Sequence, residues 1–220
     1  MPLAASTDPA HGGARHDRRV PEERPQFSLR ETSEPRIVVI DDFMDSPSHQ
    51  SAWKFLNEPG WGFGAYSDGS PNGSRYLFKH YAGYVESGSE ERTPAAIEDE
   101  LVAYPAIARI WEKLKAGPLN GRPLARCYAN GMPPGAEGGL HMDSNIPTHF
   151  TALYYPHLEW RPHLGGETLF FRQDGSDLVG AVYPKPNRMV LFSGTIPHVA
   201  RPISMKAQLM RITLMFKTCG

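Results

Sequence analysis

The segment His141-Met142-Asp143 sets an imidazole and a carboxylate two positions apart, and His198 lies far downstream of both. Residues two apart on a strand project to the same face, so His141 and Asp143 can reach one ion, with a third ligand arriving from another strand. Two histidines and one carboxylate on one face of an octahedron leave three positions open, which suits non-haem Fe(II) enzymes that activate oxygen. Spacing alone leaves a plainer alternative open, in which H-x-D arises by chance and His198 packs beside a turn. His149, His157 and His163 are spaced too loosely for a zinc signature and read mostly as surface residues. His11 and His16 fall in a polar N-terminal stretch and read as solvated.

Strands must carry such a constellation, and the pattern supplies them. After Gly121 the chain alternates short apolar, β-branched and aromatic runs with turn residues, giving strand candidates at 124–128, 148–155, 167–171, 179–183, 188–192, 198–203 and 209–216. Upstream, Ile37 to Ile40 forms a β-branched run stopped by Asp41 and Asp42. Ser46 before Pro47 predicts a helix N-cap, and Thr93 before Pro94 predicts another. Pro105 interrupts that second helix, and Ile107, Ile110, Trp111 and Leu114 restore helical spacing until Gly117. Residues 60–73 read as a long Gly-, Ser- and Asn-rich loop, of the kind that is often a lid or a binding loop, leading into a strand over 75–84. Residues 1–33 hold hardly any large apolar side chain, which predicts a disordered tail, with one domain over 34–220.

Composition narrows the class. Gly and Pro number 21 each in 220 residues, which favours many turns between short strands over a helical bundle. A formal net charge of -1 gives no global field for nucleic acid or anionic lipid, so neither partner is expected. Cys127 and Cys219 are the only cysteines, too few for a secreted disulfide scaffold. With no apolar stretch of membrane-spanning length and no export signal, the expectation is a cytoplasmic protein in a reducing compartment.

The residues around the histidines carry a more specific message. Arg126-Cys127-Tyr128, Pro134-Gly135, His141-Met142-Asp143, Thr151-Ala152-Leu153-Tyr154-Tyr155, Gly165-Gly166-Glu167, Asn187-Arg188-Met189-Val190-Leu191-Phe192 and His198-Val199-Ala200-Arg201-Pro202 follow one another in the chain. This series resembles the Fe(II)- and 2-oxoglutarate-dependent dioxygenases, specifically the prolyl 4-hydroxylase-like branch, over residues 124–217. The resemblance implies a mainly β fold, a double-stranded β-helix or jelly-roll core with flanking N-terminal α-helices. It also implies Fe(II), 2-oxoglutarate and O2 as cofactor and cosubstrates, with His141, Asp143 and His198 as iron ligands. Arg211, in Arg211-Ile212-Thr213, matches the family's basic residue for the distal carboxylate of 2-oxoglutarate. It stands somewhat farther from the second histidine than is usual, so residues 204–208 are expected to form a longer turn. Lys206 competes for the role but falls within that turn. Tyr128 and Tyr155 match tyrosines whose hydroxyls help hold the cosubstrate, while Tyr154 should point the other way.

The chemistry implied by the resemblance is oxidation of a substrate C–H bond with release of succinate and CO2. Retention of Asp143 argues against halogenation, because the family's halogenating relatives carry a small residue there. Hydroxylation is the default outcome, and desaturation or ring closure would use the same site. A small single domain without a recruitment module favours a small polar metabolite as substrate, such as an amino acid or biosynthetic intermediate. The alternatives are a hydroxylase of prolyl or other residues in a protein and, more remotely, a non-catalytic β-sandwich metal-binding module. Arg75, His80, Trp160 and Arg201 are the candidates for substrate contact.

Overall fold

The computed structural model describes residues 36–67, 75–84 and 92–220. The expected tail over 1–33 and the part of the Gly-rich loop at 68–73 lie outside the described residues. In chain order the elements are β1 (Ile37–Ile40), α1 (Ser46–Leu56), β2 (Gly62–Ala65), β3 (Tyr76–Ala82), α2 (Pro94–Asp99), α3 (Pro105–Ala116) and β4 (Leu124–Met132). They are followed by β5 (Phe150–Tyr155), β6 (Thr168–Phe171), β7 (Leu178–Val182), β8 (Arg188–Ser193), β9 (His198–Ala200) and β10 (Arg211–Thr218). Seven strands form one sheet in the order β1-β8-β5-β10-β4-β3-β2, and β7-β6-β9 form a second. Every pairing is antiparallel. This is the jelly-roll architecture, with its helices gathered on the outer face of the larger sheet.

The alternation of side chains along β10 explains why both faces of that sheet are covered. Ile212, Leu214 and Phe216 join a buried cluster with Ile107, Ile110, Trp111 and Leu114 of α3 and with Cys127 and Ala129 of β4. Those four α3 residues recur at helical spacing, and burying each contributes about 1.5 to 3 kcal/mol. Trp111 stacks on Phe216 with ring centroids 5.7 Å apart. Residues of opposite parity face the second sheet, where Leu153, Tyr155, Val190, Phe192 and Met215 pack with Phe170 and Val182. Arg211, Thr213, Met215 and Lys217 therefore look inward between the sheets, as do their β4 counterparts Arg126, Tyr128, Asn130 and Met132.

Three local expectations need correction. The cap of α1 is Asp45 rather than Ser46, because the Asp45 carboxylate reaches the Ser48 amide at 2.9 Å and the Ser48 hydroxyl at 2.8 Å. Residues 60–73 are not loop throughout, since Gly62–Ala65 pairs with β3 as the edge strand of the large sheet. Glycines at 62 and 64 hid that strand from a propensity reading. The third correction concerns His141, which lies on no strand. It makes one isolated bridge to His198, each backbone amide donating to the other's carbonyl at 3.1 and 2.9 Å.

Candidate active site

His141, Asp143 and His198 come together at the inner face of the sheets, their ligand atoms all within 4.8 Å of one another. The bridge between His141 and His198 fixes the two histidines side by side. Asp143 is anchored by its own amide, which donates to Gly194 O at 2.8 Å. Same-face projection along a strand therefore does not explain the convergence. The backbone bridge and the turn onto Gly194 do.

Each imidazole is oriented by a carbonyl. His141 Nδ1 lies 2.8 Å from Gly139 O, and His198 Nδ1 lies 2.9 Å from Ile196 O. A carbonyl only accepts, so Nδ1 carries the proton in both rings and each Nε2 presents its lone pair toward Asp143. The Nε2 to carboxylate separations are 3.5 Å for His141 and 3.7 Å for His198. Burial holds the His198 imidazole down at about 4, against an opposing pull from Asp143, so the ring is neutral at pH 7, as a metal ligand must be. Burial pushes the Asp143 carboxyl up, but its contacts with His141, His198 and Lys217 outweigh that and keep it ionised well below the usual carboxylate range.

Two partners of Asp143 were not anticipated. Thr151 Oγ1 donates to Oδ2 at 2.6 Å, and Lys217 Nζ donates to Oδ1 at 2.8 Å. Lys217 was legible in principle, since it shares strand parity with Arg211 on the same alternating run.

The triad opens onto a cavity of about 530 Å³. Arg211 lines it and is 2% exposed. Its Nε donates to Gly166 O at 2.7 Å and its Nη2 to Thr168 Oγ1 at 2.8 Å, while Nη1 has only the Met132 sulfur at 3.8 Å. Among the described residues no carboxylate pairs with this guanidinium, so the fold buries a cation with free donors beside a cavity. Gly166 permits the arrangement. Its φ is +85°, and a Cβ there would stand 2.8 Å from Ile203 Cγ2 and 3.1 Å from Arg211 Cδ.

Tyr128 lines the cavity, its hydroxyl pushed up to about 12, chiefly by burial. Tyr155 is fully buried behind the wall, its hydroxyl 2.7 Å from Thr168 Oγ1 and its ring 5.5 Å from the Arg211 guanidinium. It bears on the cavity through Thr168. Tyr154 points to the opposite face of its strand and donates to Asn187 Oδ1 at 2.8 Å. Of the four candidates for substrate contact, His80 lines the cavity, whereas Arg75, Trp160 and Arg201 do not. Arg75 sits over the Tyr66 ring at 4.2 Å. Trp160 is buried and donates to Gly165 O at 3.0 Å, supporting the glycine turn from behind. Arg201 is exposed, and its backbone amide bonds to Glu167 O.

His157 is the clearest departure among the lone histidines. It is 1% exposed, packed between Trp53 and Trp160, and its Nε2 accepts from the Ile212 amide at 2.9 Å. Burial first, then Arg211 and His49, holds its pKa down at about 3. The unfolded chain protonates near pH 6.5 and the folded one near 3, so stability is full above pH 6.5 and falls as pH drops through that interval. Urea unfolding is expected to show wild type losing about 2 kcal/mol more than His157→Gln between pH 7 and pH 5. Equal losses would remove His157 as a source of acid lability.

Comparison with known proteins agrees with this geometry. Residues 125–216 match the family model of the 2OG-Fe(II) oxygenase superfamily. A prolyl-4-hydroxylase from Pseudomonas putida shares the fold with a TM-score of 0.55 at 19% identity, covering 84% of this chain and 92% of that one. A Trichoplax adhaerens prolyl hydroxylase, solved with a peptide fragment of the hypoxia inducible factor oxygen degradation domain, gives 0.54 at 16% identity, covering 83% of each chain. An oxidoreductase of the 2OG-Fe(II) oxygenase family from Burkholderia pseudomallei gives 0.53 at 15% identity, covering 83% of this chain and 85% of that one. No curated protein sequence matches the chain. Residues 125–216, in which two imidazoles and an ionised carboxylate converge on a cavity, are thus similar in sequence to the 2OG-Fe(II) oxygenase superfamily.

Proposed function

We propose that this Fe(II)- and 2-oxoglutarate-dependent oxygenase hydroxylates an unactivated C–H bond of a small polar metabolite. The observation that carries the reading is the cavity itself: about 530 Å³, walled by the His141-Asp143-His198 cluster and lined otherwise mostly by polar and aromatic side chains. That volume falls in the range of sites for small ligands. His141 Nε2, His198 Nε2 and the Asp143 carboxylate would hold the iron. Arg211 would pair with the distal carboxylate of 2-oxoglutarate, which supplies the counter-charge its buried guanidinium lacks. Tyr128 would bond to the cosubstrate directly, and Tyr155 would fix Thr168 and the guanidinium plane. With iron and cosubstrate bound, 2-oxoglutarate and O2 are converted to succinate and CO2 while one oxygen atom enters the substrate C–H bond.

The protein's own groups make this possible in three ways. Gly139 O and Ile196 O set both imidazole tautomers. Lys217 and Thr151 hold the Asp143 carboxylate by one oxygen each and keep it ionised. Phe170 and Phe192 pack against the His198 ring and keep water from its inner side.

A second reading, hydroxylation of a residue in a polypeptide, draws on β2, which among the described residues is an edge strand of the larger sheet and, with Tyr66 and Ser67 after it, borders the cavity where an extended peptide would add to the edge. One incubation separates the two. Protein with Fe(II), 2-oxoglutarate, ascorbate and air is given a pool of polar metabolites or a peptide library, and succinate and products are followed by mass spectrometry. The expected result is succinate formation coupled to gain of one oxygen by a small molecule. The same gain on a peptide, with none in the metabolite pool, would overturn the small-molecule reading.

A further inference from the structure

The cavity has a second cationic pole at the end away from Arg211. Along β10 and β4, Arg211 pairs with Met132 and Lys217 pairs with Arg126. Six residues of strand separate the two pairs, roughly 20 Å at the usual rise per residue, and strand parity turns all four side chains to the same face. Arg126 and Lys217 flank the Tyr128 ring, at 4.6 and 5.6 Å from its centroid. Arg126 Nη2 lies 3.4 Å from His80 Nδ1, and Arg126 Nε is buried with no hydrogen-bond partner among the described residues. Among the described residues the cavity is lined by three permanent cations, Arg126, Arg211 and Lys217, and by one carboxylate, Asp143. Asp143 already accepts from Lys217, so among the described residues no carboxylate of the wall is left to answer Arg126.

Two like charges facing each other across neighbouring strands are unfavourable unless something of opposite sign sits between them. Holding a basic pair with an unused buried donor in a cleft focuses the field there and favours an anion. Resting on the dioxygenase reading above, the geometry points to an anionic oxygen group on the primary substrate, a carboxylate or a phosphate, held by Arg126 and Lys217 with His80 beside them. The cosubstrate's distal carboxylate would occupy the Arg211 pole. The substrate's anion would occupy the opposite one, and the C–H bond to be oxidised would lie between them, against the metal cluster. This deepens "small polar metabolite" to a small acid or phosphate ester.

The test uses inorganic phosphate, N-acetylglycine and the neutral N-acetylglycinamide as probes. Each is titrated, without oxygen, into protein loaded with Fe(II) and excess 2-oxoglutarate, so that the Arg211 pole is filled. Binding is read from the broadening of the probe's NMR lines. At least one anionic probe is expected to bind saturably, about tenfold or more tighter than the amide, and which of the two does so separates phosphate from carboxylate. Arg126→Gln should weaken it by about tenfold or more, and Arg126→Lys, which keeps the charge, by much less. Equal binding of acid and amide, no saturable anion binding, or wild-type affinity in Arg126→Gln overturns the second pole. The visible band of iron-bound 2-oxoglutarate in the same samples tests the underlying reading separately. If it is absent in wild type, the dioxygenase reading fails, and the probes are titrated into metal-free protein, where the dependence on Arg126 still decides.

Discussion

Asp143→Asn is expected to abolish substrate oxidation, with a fall on the order of a thousandfold or more, while leaving the protein folded. The asparagine keeps the volume of the side chain and an oxygen that can still accept from Thr151 Oγ1 or Lys217 Nζ. What it loses is the negative charge. The two imidazoles are neutral ligands, so Asp143 is the one group in the cluster that offsets the charge of a divalent ion, and its side chain is 2% exposed, where water cannot substitute. Three measurements separate this from simple unfolding. Far-UV circular dichroism should be unchanged, bound iron after desalting should drop steeply, and the visible band of iron-bound 2-oxoglutarate should vanish, as it should in His141→Ala. Asp143→Ala is a poorer probe of the same idea, because it strands the Lys217 ammonium and mixes lost metal affinity with lost stability. Full iron loading and turnover in Asp143→Asn would take the cluster out of the chemistry.

Much of the jelly roll is visible in the chain because its strands are two-faced. In Arg211-Ile212-Thr213-Leu214-Met215-Phe216-Lys217 the apolar residues alternate strictly on the helix side, and period two is the signal that a strand buried on that face must carry. The α3 stripe is legible for the same reason at helical period. The His141-Asp143-His198 cluster was legible as residue types, but the geometry that assembles it was not. His141 and Asp143 converge through one backbone bridge and a turn onto Gly194, long-range pairings that leave no local periodicity. The Gly62–Ala65 strand was missed because its identity comes from pairing with β3 and not from its own propensity. His157 reads as a surface residue, and Trp160 as loop packing or a substrate contact. Both sit in a loop-like, Pro-containing segment that folds inward to cover Ile212 and the Gly165 turn, and burial of that kind is decided by tertiary contacts alone. Lys217 and Arg126 stood on an inward parity that the sequence already implied. Applying alternation to polar residues as consistently as to apolar ones would have placed both in the cavity.

That inward parity also sets the expected behaviour of Arg211→Met, where affinity and stability should move in opposite directions. Arg211 is among the largest fully buried side chains, and no carboxylate neutralises it among the described residues. Burying a cation without a paired carboxylate is costly, and burial lowers its pKa from the ordinary arginine value against the opposing pull of Tyr155 and, behind it, Glu167. A ligand carboxylate that meets Nη1, whose contact is otherwise the weakly accepting Met132 sulfur, recovers that cost on binding, so removing the guanidinium forfeits a charge-assisted, forked contact in a site with little water. The concentration of 2-oxoglutarate needed for half-maximal turnover, or for half-maximal development of the visible band without oxygen, is expected to rise by about a hundredfold or more, corresponding to a loss of about 3 kcal/mol. Without 2-oxoglutarate the same variant should be as stable as wild type or more so, because methionine fills the space without a charge to desolvate, and the replacement of buried ions by apolar groups is often neutral or stabilising. Gly166 O and Thr168 Oγ1 lose a donor in the exchange, which limits the gain, although Thr168 keeps its contact with Tyr155. Urea unfolding with and without saturating 2-oxoglutarate reads both effects in one experiment. Ligand stabilisation should be large in wild type and nearly absent in Arg211→Met. A variant that is much less stable without ligand, yet is stabilised by 2-oxoglutarate as strongly as wild type, would make Arg211 a structural residue and leave the cosubstrate's distal carboxylate to another cation of the cavity.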